Sequence, residues 1–358
     1  MREIAIWFEL DIHDEISSDN LATEHRWERL VLDSLLNCSD FDTVYSVLPI
    51  WKSSKSKPVK FVNGIDSKKL RELVLVCPNG WPMHLRPKGF VFNCLYDSLS
   101  DTSQFRDIEK ECNENIILID PFDNFSRDHG LEKFPTHIKY FEPFFPPRLP
   151  YINQNSESVK NNILLWPHKG ALDNMKYKTV DMKLIYDWVA LKLEQDPSLE
   201  FVFLTASLQS SLTFAGYPLL EDFFWNHETT CNLKKYKERV TLHLSLSWKE
   251  VLEIYSRTKL MISSQRGGSF TAGSAQESAM QGIPFVLTQE ISPWENILSP
   301  KLFALWGSLE YFSLMDKLLT DKVFYNQISQ DIKNYAYRYT YESFNKNLIA
   351  ALEKRNMI

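Results

Sequence analysis

The chain of 358 residues lacks any apolar run near the ~20 residues that a helix needs to cross a bilayer. It also lacks a basic excess. Forty Lys and Arg stand against 46 Asp and Glu, a net charge of −6, which argues against a bulk electrostatic grip on nucleic acid or anionic membrane. Cysteine is sparse and scattered: Cys38, Cys77, Cys94, Cys112 and Cys231 are too far apart in sequence for a zinc knuckle or a CxxC redox pair. Reduced thiols in a reducing compartment are the expectation. The amino terminus has one apolar run of strand length followed by acidic residues, where a secretory leader needs basic residues before a longer apolar stretch, so no leader is read there and a cytoplasmic location is expected. No solenoid-period repeat or low-complexity tract interrupts the chain.

Core-forming residues, by contrast, are plentiful. The hydrophobic fraction is 44% and the aromatic fraction 13%, with 23 Phe, 15 Tyr and 10 Trp, which is enough for full cores. Apolar runs of strand length recur with helical patterns between them, the mark of parallel sheets covered by helices. Strands are predicted at 4–10, 43–48, 73–77, 90–95 and 116–119, with a helix over 21–36. Residues 134–155 then hold Pro135, Pro143, Pro146, Pro147 and Pro150 among aromatics, and read as an extended connector. Beyond it the alternation resumes, with strands at 163–166, 199–205, 240–244, 260–263 and 284–287 and helices at 180–194, 248–257 and 274–280. The fold class is therefore α/β. Two doubly wound Rossmann-like domains, 1–152 and 153–322, are expected to face a cleft, followed by C-terminal helices over 323–358 that pack back across them. Lys52, Lys55, Lys57 and Lys60, beside Trp51 and Phe61, read as a solvated loop, with peripheral membrane contact the alternative use.

The most informative segment is 247–287. Ser247 with Glu250 three residues on forms a capping box for the helix at 248–257. The strand at 260–263 delivers the chain to Gln265-Arg266-Gly267-Gly268-Ser269, where paired glycines free the backbone and clear side chains from a ligand's path. A helix opens after Phe270 and Thr271, and the unpaired amides of its first turn suit a phosphate. Arg266 adds a charge-assisted partner for the same phosphates. Glu277 lies about one turn in, an acceptor-only carboxylate suited to ribose hydroxyls. Gly282 is a natural C-cap ahead of Ile283-Pro284. Read singly, Glu277 is a solvated helix residue, and Gly282 with Pro284 is a stop signal.

Taken together, 247–287 resembles the donor-binding domain of retaining GT-B glycosyltransferases. Glu277, Gly282 and Pro284 stand in register with that family's Glu-Ala-Met-Ala-x-Gly-x-Pro pattern. The resemblance implies that Glu277 binds the ribose of a nucleotide sugar. It also implies that Gly267, Gly268, Ser269, Phe270 and Thr271, with the helix start, hold the diphosphate and sugar. Ser269 stands where the family has the first of its paired glutamates. Arg266 and Lys169 are the candidate phosphate contacts, and His168 a contact to donor sugar or phosphate. The glycine-rich loop that the family carries after its first strand is replaced here by Asp11, His13, Asp14 and Glu15. Asp11 and His13 after the first strand, Asp97 after the fourth and Asp120 after the fifth are the candidate bases for an inverting enzyme, and Asp11 with His13 is the candidate catalytic pair, a carboxylate orienting an imidazole.

The activity implied is transfer of a sugar from a nucleotide-diphosphate donor to an acceptor hydroxyl, as a hexosyltransferase-like enzyme. No metal and no cofactor are expected, and a UDP-sugar is the expected co-substrate. The acceptor stays open among glycan, glycolipid, protein and nucleic acid. Two other readings share the fold: a nucleotide-sugar epimerase or hydrolase, and a non-catalytic GT-B-like module that binds nucleotide or glycan.

Overall fold

The computed structural model describes residues 2–7, 26–47, 59–78, 82, 84–93, 115–119, 142, 147–148, 162–167, 180–205, 224–244, 246, 248–263, 273–287 and 302–358. The chain divides into two compact units, Met1–Tyr151 with Tyr337–Ile358, and Ile152–Ala336.

The first unit is built on a parallel sheet of β1 (Glu3–Ile6), β2 (Thr43–Ser46), β3 (Phe61–Asn63), β4 (Val74–Cys77), β5 (Gly89–Asn93) and β6 (Ile116–Ile119). Their order across the sheet is β3-β2-β1-β4-β5-β6, and every pairing is parallel. All four residues of β4 are buried, as expected of a strand covered on both faces. The strand period of two sorts its neighbours cleanly. Ile4, Ile6, Val74 and Val76 enter one core, while Ala5, Trp7, Leu75 and Cys77 enter the other. Leu32 and Leu35 of α1 (Arg26–Asn37) join the first of these cores, and Leu70 of the short α2 (Ser67–Leu70) joins the second.

That first core is completed from the far end of the chain. Phe344, Leu348, Ala351 and Leu352 of the last helix (Tyr341–Lys354, α8 below) pack into it, as does Met357. Lys354 Nζ and Arg355 Nη2 donate to the buried Glu142 carboxylate at 2.9 and 3.1 Å. Of the C-terminal helices, Lys322–Ala336 lies with the second unit and Tyr341–Lys354 with the first.

Strand β3 was not predicted. Only three residues long, it follows Lys60, a member of the expected solvated lysine cluster. Lys60 is half-buried, and its Nζ donates to the carbonyls of Cys38 at 2.6 Å and Phe41 at 3.4 Å. It is a structural residue, while Lys52, Lys55 and Lys57 lie outside the described residues.

The second unit holds β7 (Ile163–Pro167), α3 (Val180–Gln195), β8 (Glu200–Thr205), a 3-10 helix (Cys231–Arg239), β9 (Val240–Leu244), α4 (Trp248–Arg257), β10 (Thr258–Met261), α5 (Gly273–Gln281), α6 (Leu309–Thr320) and α7 (Lys322–Ala336). The C-terminal helix of the first unit is then α8. The sheet order is β10-β7-β8-β9, again all parallel. The strand predicted at 284–287 runs beside β10 without forming a regular ladder. Met261 N donates to the Pro284 carbonyl at 3.0 Å, and Leu287 makes an isolated bridge to Phe303. Pro284, with no N–H, contributes only its carbonyl to this pairing.

Aromatic side chains fill the space behind β7 and β8. Trp166 lies 5.1 Å from Tyr186 and 6.0 Å from Phe203, and Phe224 lies 5.7 Å from both Tyr186 and Phe203, in tilted and edge-on arrangements. Burial pushes the Tyr186 phenol far above its ordinary value. Cys38 and Cys77 are buried free thiols and Cys231 an exposed one; Cys94 and Cys112 lie outside the described residues. Among the described residues no helix is long and apolar enough to cross a membrane.

Candidate functional site

The order β10-β7-β8-β9 reverses direction between β7 and β10, since β7 has its sequence successor β8 on one side and β10 on the other. In open parallel sheets ligands bind beyond the carboxyl ends of the strands at such a switch. Two candidate segments leave these carboxyl ends. His168 and Lys169 follow directly on β7, and residues 264–272, with Arg266, Gly267, Gly268, Ser269, Phe270 and Thr271, connect β10 to α5. The first unit has the same reversal between β1 and β4, and Asp11 and His13 follow β1. All ten of these residues lie outside the described residues, so of the candidate site residues only Glu277 has described geometry.

That geometry starts from α4. Val251 and Tyr255, four residues apart, share the buried face of this amphipathic helix. Thr258 at the start of β10 turns its hydroxyl back to the Ile254 carbonyl at 2.8 Å, joining helix end to strand start. Strand β10 pairs with β7, and Ile262 N continues the contact by donating to the Leu165 carbonyl at 2.7 Å.

Helix α5 then packs against both α4 and α7. Residues 275–280 are buried without a break, and Ala275, Ser278 and Ala279 keep the helix slim enough for that position. Its polar residues sit in the interior. Ser278 Oγ donates to Met261 Sδ at 3.0 Å, and the Tyr255 hydroxyl donates to Glu277 Oε2 at 3.1 Å. Glu277 is only 1% exposed, which overturns the reading of it as a solvated helix residue. A carboxylate is costly to bury without hydrogen bonds, and Tyr255 from the preceding helix supplies one. Tyr255 is not among the residues expected from the sequence. Its only signal there is the i,i+4 spacing from Val251 on a helix that leads into the motif.

The end of α5 matches the C-cap expected at Gly282. This glycine has φ +73, its N–H donates to the Ala279 carbonyl at 2.9 Å, and Ile283 N donates to the Ser278 carbonyl at 2.8 Å. The pair of bonds is a Schellman motif. Ser329 of α7 adds a hydroxyl that donates to the Gly282 carbonyl at 2.6 Å.

The chain entering residues 264–272 is held as firmly. The Ser263 carbonyl accepts from Trp306 Nε1 at 2.9 Å and from the Tyr311 hydroxyl at 3.2 Å, while Ser263 Oγ donates to the Val286 carbonyl at 2.7 Å. Burial pushes the Tyr311 phenol well above its ordinary value, outweighing the opposing effect of its bonds to Ser263, so it stays a donor. Trp306 and Tyr311 lie more than 40 residues beyond Ser263, and no local pattern announces the contact.

Among the described residues no group of three or more His, Cys, Asp or Glu is placed to hold a metal ion. Asp40-Phe41-Asp42 has the Asp-x-Asp spacing that some glycosyltransferases use for a metal, which corrects the expectation that this signature is absent from the chain. It lies just ahead of β2, at the edge of the sheet opposite the strand carboxyl ends. There Asp42 accepts from Arg2 N at 2.7 Å and Asp40 faces the Arg2 guanidinium at 3.9 Å. Its described role is to join β2 to the start of β1.

No model of a known protein family matches this sequence, and no curated protein matches it. Solved structures do. HepE of Anabaena in complex with UDP-glucose superposes with a TM-score of 0.58 at 12% identity, over 99% of this chain and 100% of that one. HepE with UDP and glucose gives 0.56 at 11%, over the same shares. A variant of the O-GlcNAc transferase of Thermobaculum terrenum gives 0.51 at 12%, over 99% of this chain and 67% of that one. The chain has the GT-B fold. At these identities the likeness is one of fold, and it extends over nearly the whole chain.

Proposed function

We propose that this GT-B protein transfers a sugar from a uridine diphosphate donor to an acceptor hydroxyl without a bound metal. The observation that carries the reading is Glu277: a buried carboxylate, held by Tyr255, on the helix that follows the strand at the sheet's switch point. The Anabaena and Thermobaculum proteins that share the fold are glycosyltransferases or carry UDP and sugar, which supports the same donor class here.

In this reading Glu277 accepts from the ribose hydroxyls. Gly267, Gly268, Ser269, Phe270 and Thr271 bring backbone amides to the diphosphate, near the positive end of α5. Arg266 and Lys169 neutralise charge as the diphosphate leaves, and His168 contacts the donor sugar or phosphate. Asp11 and His13 supply the base that takes the acceptor proton. Electrostatic stabilisation by fixed amides and cations replaces the role a metal would play.

The test is a titration with UDP, UDP-glucose and other nucleoside diphosphates and their sugars, followed by thermal unfolding. A ligand at 100 times its Kd stabilises the folded state by about 2.7 kcal/mol. The expected result is a raised midpoint with a uridine diphosphate ligand, lost in Arg266→Ala and Glu277→Gln. No shift at millimolar ligand overturns the reading. A shift without release of UDP from UDP-glucose, with or without an acceptor panel, favours the non-catalytic binding module. Ser269, standing where the related motif has a glutamate, is the observation on that side.

A further inference from the structure

Two buried side chains on successive helices of the second unit meet at the candidate site. Tyr255 and Glu277 are 2% and 1% exposed, and the phenol donates to Oε2 of the carboxylate at 3.1 Å. The two residues are 22 apart in sequence, separated by β10 and residues 264–272. We propose that Tyr255 is a positioning residue for nucleotide recognition: its hydroxyl fixes the rotamer of Glu277 so that the carboxylate meets a ribose diol in one geometry. The inference rests on the reading of Glu277 as the ribose acceptor.

Three features of the site support it. A glutamate side chain has three rotatable bonds, and holding one of its oxygens removes most of that freedom before a ligand arrives. The tyrosine is itself enclosed, since it is buried on the same face of α4 as Val251, and α4 is tied to β10 through Thr258. Helix α5 is held at two further points. Its far end is pinned at Gly282 by the Schellman bonds and by Ser329, and its middle by the bond from Ser278 to Met261. A preorganised carboxylate discriminates sharply between a diol and a single hydroxyl, because a missing partner leaves a buried polar group unmet.

The experiment measures Kd for UDP and for 2′-deoxy-UDP by calorimetry in the wild type, Tyr255→Phe, Glu277→Gln and the double variant. The readout is the ratio of the two constants, which a uniform loss of stability or of phosphate binding leaves unchanged. The wild type should favour UDP by about tenfold, or ~1.4 kcal/mol. Tyr255→Phe should cut the ratio at least threefold, Glu277→Gln should bring it near one, and the double variant should match Glu277→Gln. Tyr255→Met, which fills much of the same volume without a donor, is the second variant should the first not fold, and it carries the same expectation.

A wild-type ratio that survives both Tyr255 variants but falls in Glu277→Gln overturns the role of Tyr255 and leaves Glu277 as the ribose acceptor. A wild type that binds UDP and its 2′-deoxy analogue equally overturns both. A ratio in the double variant that differs from that of Glu277→Gln also overturns the proposal, because Tyr255 would then act on the ligand by another route.

Discussion

Ser34 and Asn345, 311 residues apart, exchange two hydrogen bonds: the Ser34 hydroxyl donates to Asn345 Oδ1 at 3.1 Å, and Asn345 Nδ2 donates to the Ser34 carbonyl at 2.9 Å. Both residues are buried, and the pair joins α1 to α8 inside the first unit. Asn345→Ala removes both bonds and leaves the Ser34 hydroxyl without that acceptor, a loss of about 2 kcal/mol. Ser34→Ala removes only one and should cost about 1 kcal/mol. Urea unfolding measures each, and in a double-mutant cycle the two should couple by at least ~0.5 kcal/mol.

Gly282→Ala should destabilise the second unit. The left-handed φ of +73 alone costs an alanine about 1 kcal/mol. The added Cβ would also lie 2.1 Å from Lys333 Cε and 2.8 Å from Ser329 Oγ, so the hydroxyl bond to the Gly282 carbonyl must move as well. A total near 2 kcal/mol is expected, read as a lower urea midpoint with the slope unchanged.

Two donors serve the Ser263 carbonyl, so losing one should cost little and losing both more than the sum. Tyr311→Phe is expected to cost about 1 kcal/mol, because Trp306 still satisfies the acceptor. Adding Trp306→Phe leaves the buried carbonyl without either, and the double variant should exceed the summed singles by at least ~0.5 kcal/mol. Strict additivity in urea unfolding would show that the two bonds are independent.

His243 on β9 is half-buried, and burial lowers its pKa below the ordinary 6.5 despite the opposing pull of Glu250. The unfolded chain therefore binds a proton that the folded chain resists in the window just below pH 6.5. Where the unfolded state holds more protons, stability falls as pH falls. His243→Asn should flatten this part of the stability profile relative to the wild type, while the two curves run parallel above about pH 7.5. Identical slopes from pH 7 to 5 would remove His243 from the account.

Many elements were legible because their signal is local. Ile116–Ile119, Val240–Leu244 and Trp248–Arg257 form over the residues expected for them, since apolar period and flanking polar residues coincide there. Helix α6, absent from the expected elements, also carries a local signal: Ser308 caps it by accepting from Tyr311 N at 3.1 Å, and Tyr311, Met315 and Leu318 repeat at i, i+4 and i+7 on its buried face. Strand β3 was not, because three residues carry no readable period and its place at the sheet edge depends on pairing with β2.

At the candidate site the division is the same. The amino-acid sequence alone determined that α5 ends at Gly282, because only a residue free of a Cβ accepts a left-handed φ there at no cost. It also determined that glycines and Arg266 follow a buried strand, and that parallel sheets alternate with helices. The tertiary structure decided that β7 and β10 are neighbours, that Glu277 is buried against Tyr255, and that Trp306 and Tyr311 hold Ser263. It decided too that α8 returns to the first unit while α7 stays with the second. These are contacts between segments tens or hundreds of residues apart, set by which apolar faces bury one another, and no local spacing carries that information.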